Sequence, residues 1–193
     1  MPLKLNSTGG GAVTIDVPST ASTYTITAPA RTGTIITTAD SNTVTQAMVQ
    51  TGFAGNGPTF SAYNSVAISV AGAGAWTKMA LQTKEWDTAN CFDATTNYRF
   101  TPNVAGYYHF DGAIQLLNNA IMVVSIYKNG GEYIRGFYSN PSTVYGGSVT
   151  GLVYMNGTTD YVELYAYNGS ASAYNSQTGA TYTFLKGFLA RSA

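Results

Sequence analysis

Charge, cysteine and histidine are all scarce in this chain. Of its 193 residues only 9% are charged, nine basic balancing nine acidic. With no basic excess to displace counterions from phosphates, nucleic acid is a poor partner. So little charge leaves solubility to Ser, Thr and Asn, or hides much of the surface in an assembly. Cys91 stands alone, which rules out an internal disulfide. No apolar run approaches the ~20 residues of a membrane helix. The opening MPLKLNSTGGGAV has no apolar segment long enough for a signal peptide, so folding in a reducing cytoplasm is expected. On that expectation the glycosylation-like triplets at Asn6, Asn156 and Asn168 are chance.

The same scarcity bears on catalysis. His109 is the only histidine, and alternation puts it mid-strand with Asp111 on its face, whereas a Ser-His-Asp site needs a cleft. Cys91 has Asp87 and Asp93 near it rather than cations, so it reads as a small apolar residue. Glu85, Asp87 and Asp93 form the best carboxylate cluster. Paired carboxylates serve glycoside hydrolysis or calcium binding, but no Asp-x-Asp-x-Asp-Gly loop occurs, and a solvated loop over Glu85 to Asp93 is expected. The Gly-rich GFAGNGP and AGAGAW lack the Gly-Lys-Ser/Thr of a phosphate loop. No catalytic residue, cofactor or metal ligand is assigned, and an enzyme is not expected.

What is present is aromatic and β-forming: 13% aromatics, with 15 Tyr beside 21 Gly. Residues 1–50 differ from the rest, with one Tyr, no Phe or Trp, and much Thr and Ser. They hold short alternating runs around Val13, Ile15 and Val17, around Tyr24 and Ile26, and around Ile35 and Ile36. Val44 to Gln50 suits one helical turn or two. A meander this small buries too little to stand alone and needs partners. Residues 51–57 read as a linker. Residues 58–193 then give nine or ten strands and no helix, an all-β sandwich, most simply a jelly roll. The expected strands are 60–63, 66–70, 76–81, 98–101, 107–116, 121–128, 133–138, 148–155, 161–167 and 182–190. Asn129-Gly130 and Asn156-Gly157 are expected to close tight hairpins.

The centre of this second segment is FDATTNYRFTPNVAGYYHF, residues 92–110. It resembles the core motif of the C1q-type globular head, a branch of the tumour necrosis factor-like jelly rolls. The motif's parts are Phe92-Asp93, Arg99-Phe100-Thr101-Pro102 and Gly106-Tyr107-Tyr108-His109-Phe110, with His109 where the family has an aromatic. Phe60-Ser61-Ala62-Tyr63 resembles the family's first strand, and Leu185-Lys186-Gly187-Phe188-Leu189 its last. The likeness covers residues 58 to 190.

Two strands carry apolar residues on both faces. Phe184 and Phe188 lie opposite Leu185 and Leu189, and Val149, Val153 and Met155 lie opposite Leu152 and Tyr154. In a two-layer sandwich one face of each sheet meets the core, so the other must meet something else. Residues 161–167 instead alternate cleanly, with Glu163 facing out. The resemblance implies packing around a threefold axis. A homotrimer is therefore expected, with Phe60, Phe100, Leu152, Tyr154, Phe184 and Phe188 at its interface. Trp86, Tyr138, Tyr145 and Tyr174 lie in or beside polar loops and are candidates for binding a surface sugar or protein.

TYTITAPARTGTIITT, within residues 1–50, resembles a Thr-rich β module near the N-termini of tailed-phage tail and virion proteins. That likeness implies a virion structural protein: a homotrimeric knob on a small N-terminal β arm that docks on a phage capsid or tail protein. With no heptads for a stalk, a head decoration or cement protein stabilising the capsid is expected first. A receptor-binding short tail fibre tip, gripping a host surface glycan or protein, is the alternative.

Overall fold

The computed structural model describes residues 3–6, 8–10, 12–15, 57–137 and 145–193. The expected strands near Tyr24 and Ile35, the helical turn at 44–50 and Tyr138 lie outside the described residues. The chain divides into two compact units, 1–43 and 44–193. In the first, β1 (Leu3–Asn6) pairs antiparallel with β2 (Ala12–Ile15), Leu3 opposite Ile15. Gly10, at φ +84°, takes the left-handed backbone in the connection.

The second unit is a sandwich of two antiparallel sheets. One runs β12-β9-β15-β3-β6, built from Gly146–Met155, Gly106–Gln115, Phe184–Ser192, Thr59–Tyr63 and Thr83–Asp87. The other runs β11-β10-β13-β8-β7, built from Gly131–Arg135, Met122–Lys128, Val162–Asn168, Arg99–Phe100 and Phe92–Asp93, with β5 (Ala75–Lys78) also on β13. A small pair, β14 (Tyr174–Asn175) with β4 (Ser69–Val70), lies beside them. No described residue is helical.

β9 shows why these residues make this fold. Tyr108, Phe110, Gly112 and Ile114 are buried, while Tyr107, His109, Asp111 and Ala113 alternate outward. The buried aromatics converge on one cluster between the sheets. Phe60 stacks on Phe100 with ring centroids 4.3 Å apart and on Phe92 at 5.2 Å. Tyr108 and Phe110 close on Phe100 at 5.6 and 5.8 Å, edge to face. The Tyr108 hydroxyl donates to the Val104 carbonyl at 2.8 Å, and burial raises its pKa. Gly187 completes the fit: a Cβ there would stand 2.6 Å from the Phe110 ring.

This cluster corrects the interface expected of Phe60 and Phe100. Both are fully buried within one subunit, because their strands turn them toward the opposite sheet. Several boundaries also move. Tyr98 belongs to the turn before β8, with φ +47°. The expected strand 66–70 shrinks to Ser69–Val70. Asn129-Gly130 does close the β10–β11 hairpin, at φ +52° and +82°. Asn156 instead heads a longer loop, its Oδ1 accepting from the amides of Thr158, Thr159 and Asp160.

Candidate interaction face

Each sheet has one face on the core and one turned away, and the two outward faces differ. On the six-stranded sheet the outward side chains cover one another. Tyr127 stacks on Tyr165 at 3.9 Å, Trp76 meets Tyr167 at 5.3 Å, and the Arg135 guanidinium lies 5.6 Å from the Trp76 ring. Val123 and Ser125, facing outward beneath them, are buried. Glu163, expected in solvent, is buried as well. Lys78 ion-pairs with it from β5, and Tyr127 lies opposite it on β10. Apart from Tyr133 on the edge strand β11, which is exposed, this face is covered by its own residues.

Among the described residues nothing covers the outward face of the five-stranded sheet in this way. Register places Leu152, His109, Phe188 and Thr59 side by side across β12, β9, β15 and β3. Tyr154 and Tyr107 form the adjacent row, their rings 5.5 Å apart. Leu152 is 55% exposed and Phe188 49%, while Tyr107 and Tyr154 are also exposed. Phe184 is half-buried beneath the Lys186 ammonium, 4.8 Å from its ring. Thus Leu152, Tyr154, Phe184 and Phe188 share one face as expected. Tyr107 and His109 join them, a consequence of β9 alternation around Tyr108. A hollow of ≈ 480 Å³ lined by Tyr107, Leu152 and residues 190–193 opens on the same side.

His109 sits in this face as a packing residue. Its ring lies 5.5 Å from that of Phe188, and Nε2 is 3.2 Å from the Thr150 hydroxyl. Nδ1 is 3.4 Å from Asp111 Oδ2, with no hydrogen bond between them.

The far edge of the face is polar. A register shift between Ser61 and Ala62 sets Glu85 and Trp86 of β6 beside β3. Glu85 accepts from the Ser61 hydroxyl at 2.5 Å and lies 3.3 Å from the Lys186 Nζ. The Ser61 hydrogen bond, with help from Lys186, lowers the Glu85 pKa. Glu85 and Trp86 are therefore strand residues, not the loop expected. Trp86 is exposed, with its indole donating to Thr59 Oγ1 at 3.4 Å.

The other two carboxylates are committed elsewhere. Asp87 accepts from the amides of Cys91 and Phe92, and Asp93 from those of Thr95, Thr96 and Asn97. The amides hold the Asp93 pKa well below the usual range. Among the described residues no three His, Cys, Asp or Glu are placed to share a metal ion. Burial pushes the Cys91 thiol pKa up, which opposes nucleophilic use.

The surface-binding candidates do not form one site. Trp86 borders the apolar sheet face. Tyr145 is exposed at the start of β12, and Tyr174 on β14 packs partly against the core.

Two solved structures share this architecture. The structure of murine APRIL at pH 5.0 superposes with a TM-score of 0.53, at 13% identity, over 68% of this chain and 98% of that one. The structure of Eiger TNF from S. frugiperda gives 0.52, at 10% identity, over 70% and 92%. The knob has the tumour necrosis factor jelly-roll fold. At such identities the likeness speaks for fold alone. No family model matches the chain, and no curated protein matches it.

Proposed function

We propose that this chain is a structural protein of a phage particle whose jelly-roll knob assembles as a homotrimer. Subunits meet through the outward face of the β12-β9-β15-β3-β6 sheet. The observation that carries the reading is the continuous row of Leu152, Tyr154, Tyr107 and Phe188, exposed among the described residues, on a sandwich whose other outward face is covered by its own side chains except at the β11 edge. Burying a Phe or Leu side chain fully is worth roughly 1.5–3 kcal/mol. Several half-exposed ones per subunit, used by every subunit, offset an association cost on the order of 4–15 kcal/mol. Phe184 and Lys186 lie farther along the same face, and the fold likeness supports the same arrangement.

Within that reading, residues 1–50 dock on a capsid or tail protein, and the knob caps the head as a decoration or cement protein. It acts by mass action, adding buried area across neighbouring shell subunits. The Thr-rich sequence likeness is what supports the particle role. The test is to label purified particles with an antibody against residues 58–193 and image them. Signal over the whole head is expected. Signal confined to the tail assigns the chain to a receptor-binding short fibre, and unlabelled particles overturn the particle role.

A further inference from the structure

The strands give the knob two ends. The chain enters at one, where the Pro58 carbonyl accepts from the Leu189 amide. β3 and β9 run away from that end, and β12 and β15 run back toward it. At the opposite end the segments 64–68, 116–121 and 169–183 meet the start of β12. The backbone joins them directly. Leu116 donates to Tyr145, Leu117 to Asn175, Ser176 to Ile68 and Gly179 to Asn64, at 2.5 to 2.9 Å. Beneath lies a buried polar frame: the Ser176 hydroxyl accepts from the Asn64 side chain and the Ile68 amide, both at 2.9 Å. Such a frame holds an exposed surface in one shape before any partner arrives.

The surface it holds is apolar and uncharged. Val66 is 63% exposed and Leu117 52%, with Tyr145 and Tyr182 also exposed and Asn118 and Asn119 beside them. Residues 64–77, 112–127, 145–159 and 164–185 contain no Asp, Glu, Lys or Arg. In a chain whose charges balance, these stretches bring no charged side chain to that end of the sandwich among the described residues. A charged partner would lose hydration there with no counter-charge to replace it. A neutral partner bearing hydroxyls and C–H faces fits. Tyrosine rings take the C–H faces at low entropic cost, and amides pair with hydroxyls.

We propose that this end is a preorganised platform for a neutral oligosaccharide. The platform belongs to each subunit. It rests on the homotrimer only for multiplicity, since three platforms side by side would raise avidity.

The test uses the full chain and neutral hexasaccharides of glucose, galactose, mannose and N-acetylglucosamine, with saturation-transfer NMR and calorimetry as readouts. At least one is expected to bind with a Kd of about 1 mM, typical of a shallow single site. Raising NaCl from about 0.1 to 0.5 M should leave binding unchanged, because no ion pair is made. Tyr145→Ala with Tyr182→Ala should weaken it about tenfold or more. Leu117→Asp, which keeps both rings, should weaken it too. Tyr133→Ala, an exposed aromatic on β11, should leave it unchanged. Circular dichroism confirms that each variant is folded. No saturation transfer at about 10 mM, full binding by the double variant, or loss in salt overturns the platform. A protease-sensitive surface protein bound in place of every sugar also overturns it. The subunit mass, measured separately, tells failure of the trimer from failure of the platform.

Discussion

Phe60 and Phe100 stack at the centre of the sandwich, so their removal tests the core and not an interface. Each Phe→Ala change should cost about 3–5 kcal/mol in urea unfolding. The loss should be the same in a variant whose outward face has been made monomeric. Gly187→Ala drives a methyl into the Phe110 ring and should cost about 1–3 kcal/mol by overpacking. Asp93 acts differently, as an acceptor for three turn amides. Its folded pKa lies below its unfolded one, so its contribution is full above the ordinary Asp value. It is lost as pH falls from there through the folded value. Asp93→Ala should therefore lower the thermal midpoint at pH 7, and the difference from the parent should narrow as the solution is acidified below about pH 4.

At the scale of elements, turn chemistry decides what is fragile. Gly130 closes the β10–β11 hairpin at φ +82°, and Gly130→Ala should cost about 1–2 kcal/mol in unfolding. The long strands are legible because alternation is a direct imprint of burial: β12 and β15 put Val149, Val153, Met155, Leu185 and Leu189 inside, opposite the residues expected at the interface. Four of the six expected interface residues share the outward sheet face for the same reason. Phe60 and Phe100 were not placed correctly because a short strand of aromatics does not reveal which neighbour its rings meet. Glu163 was misplaced because alternation gives direction but not coverage, and Lys78 lies 85 residues away. Trp86 carries no strand signal of its own, because the register shift at Ser61/Ala62 that seats it beside β3 leaves no trace in the sequence of β6.

For the whole molecule, the deciding asymmetry is between two outward faces of similar composition. One closes over itself with Trp76, Tyr127, Tyr165 and Arg135; the other leaves Leu152 and Phe188 in water. A charge placed on the open face should prevent association without unfolding the sandwich, because its opposite side still fills the core. The most direct measurement is the mass of the purified chain by light scattering at micromolar concentration, alongside Leu152→Glu and Phe188→Glu. The parent should weigh about 61 kDa, three times 20.3 kDa, and both variants should run as folded monomers. A parent that scatters as a single 20.3 kDa subunit, or variants that keep the parent mass, would contradict assembly through this face.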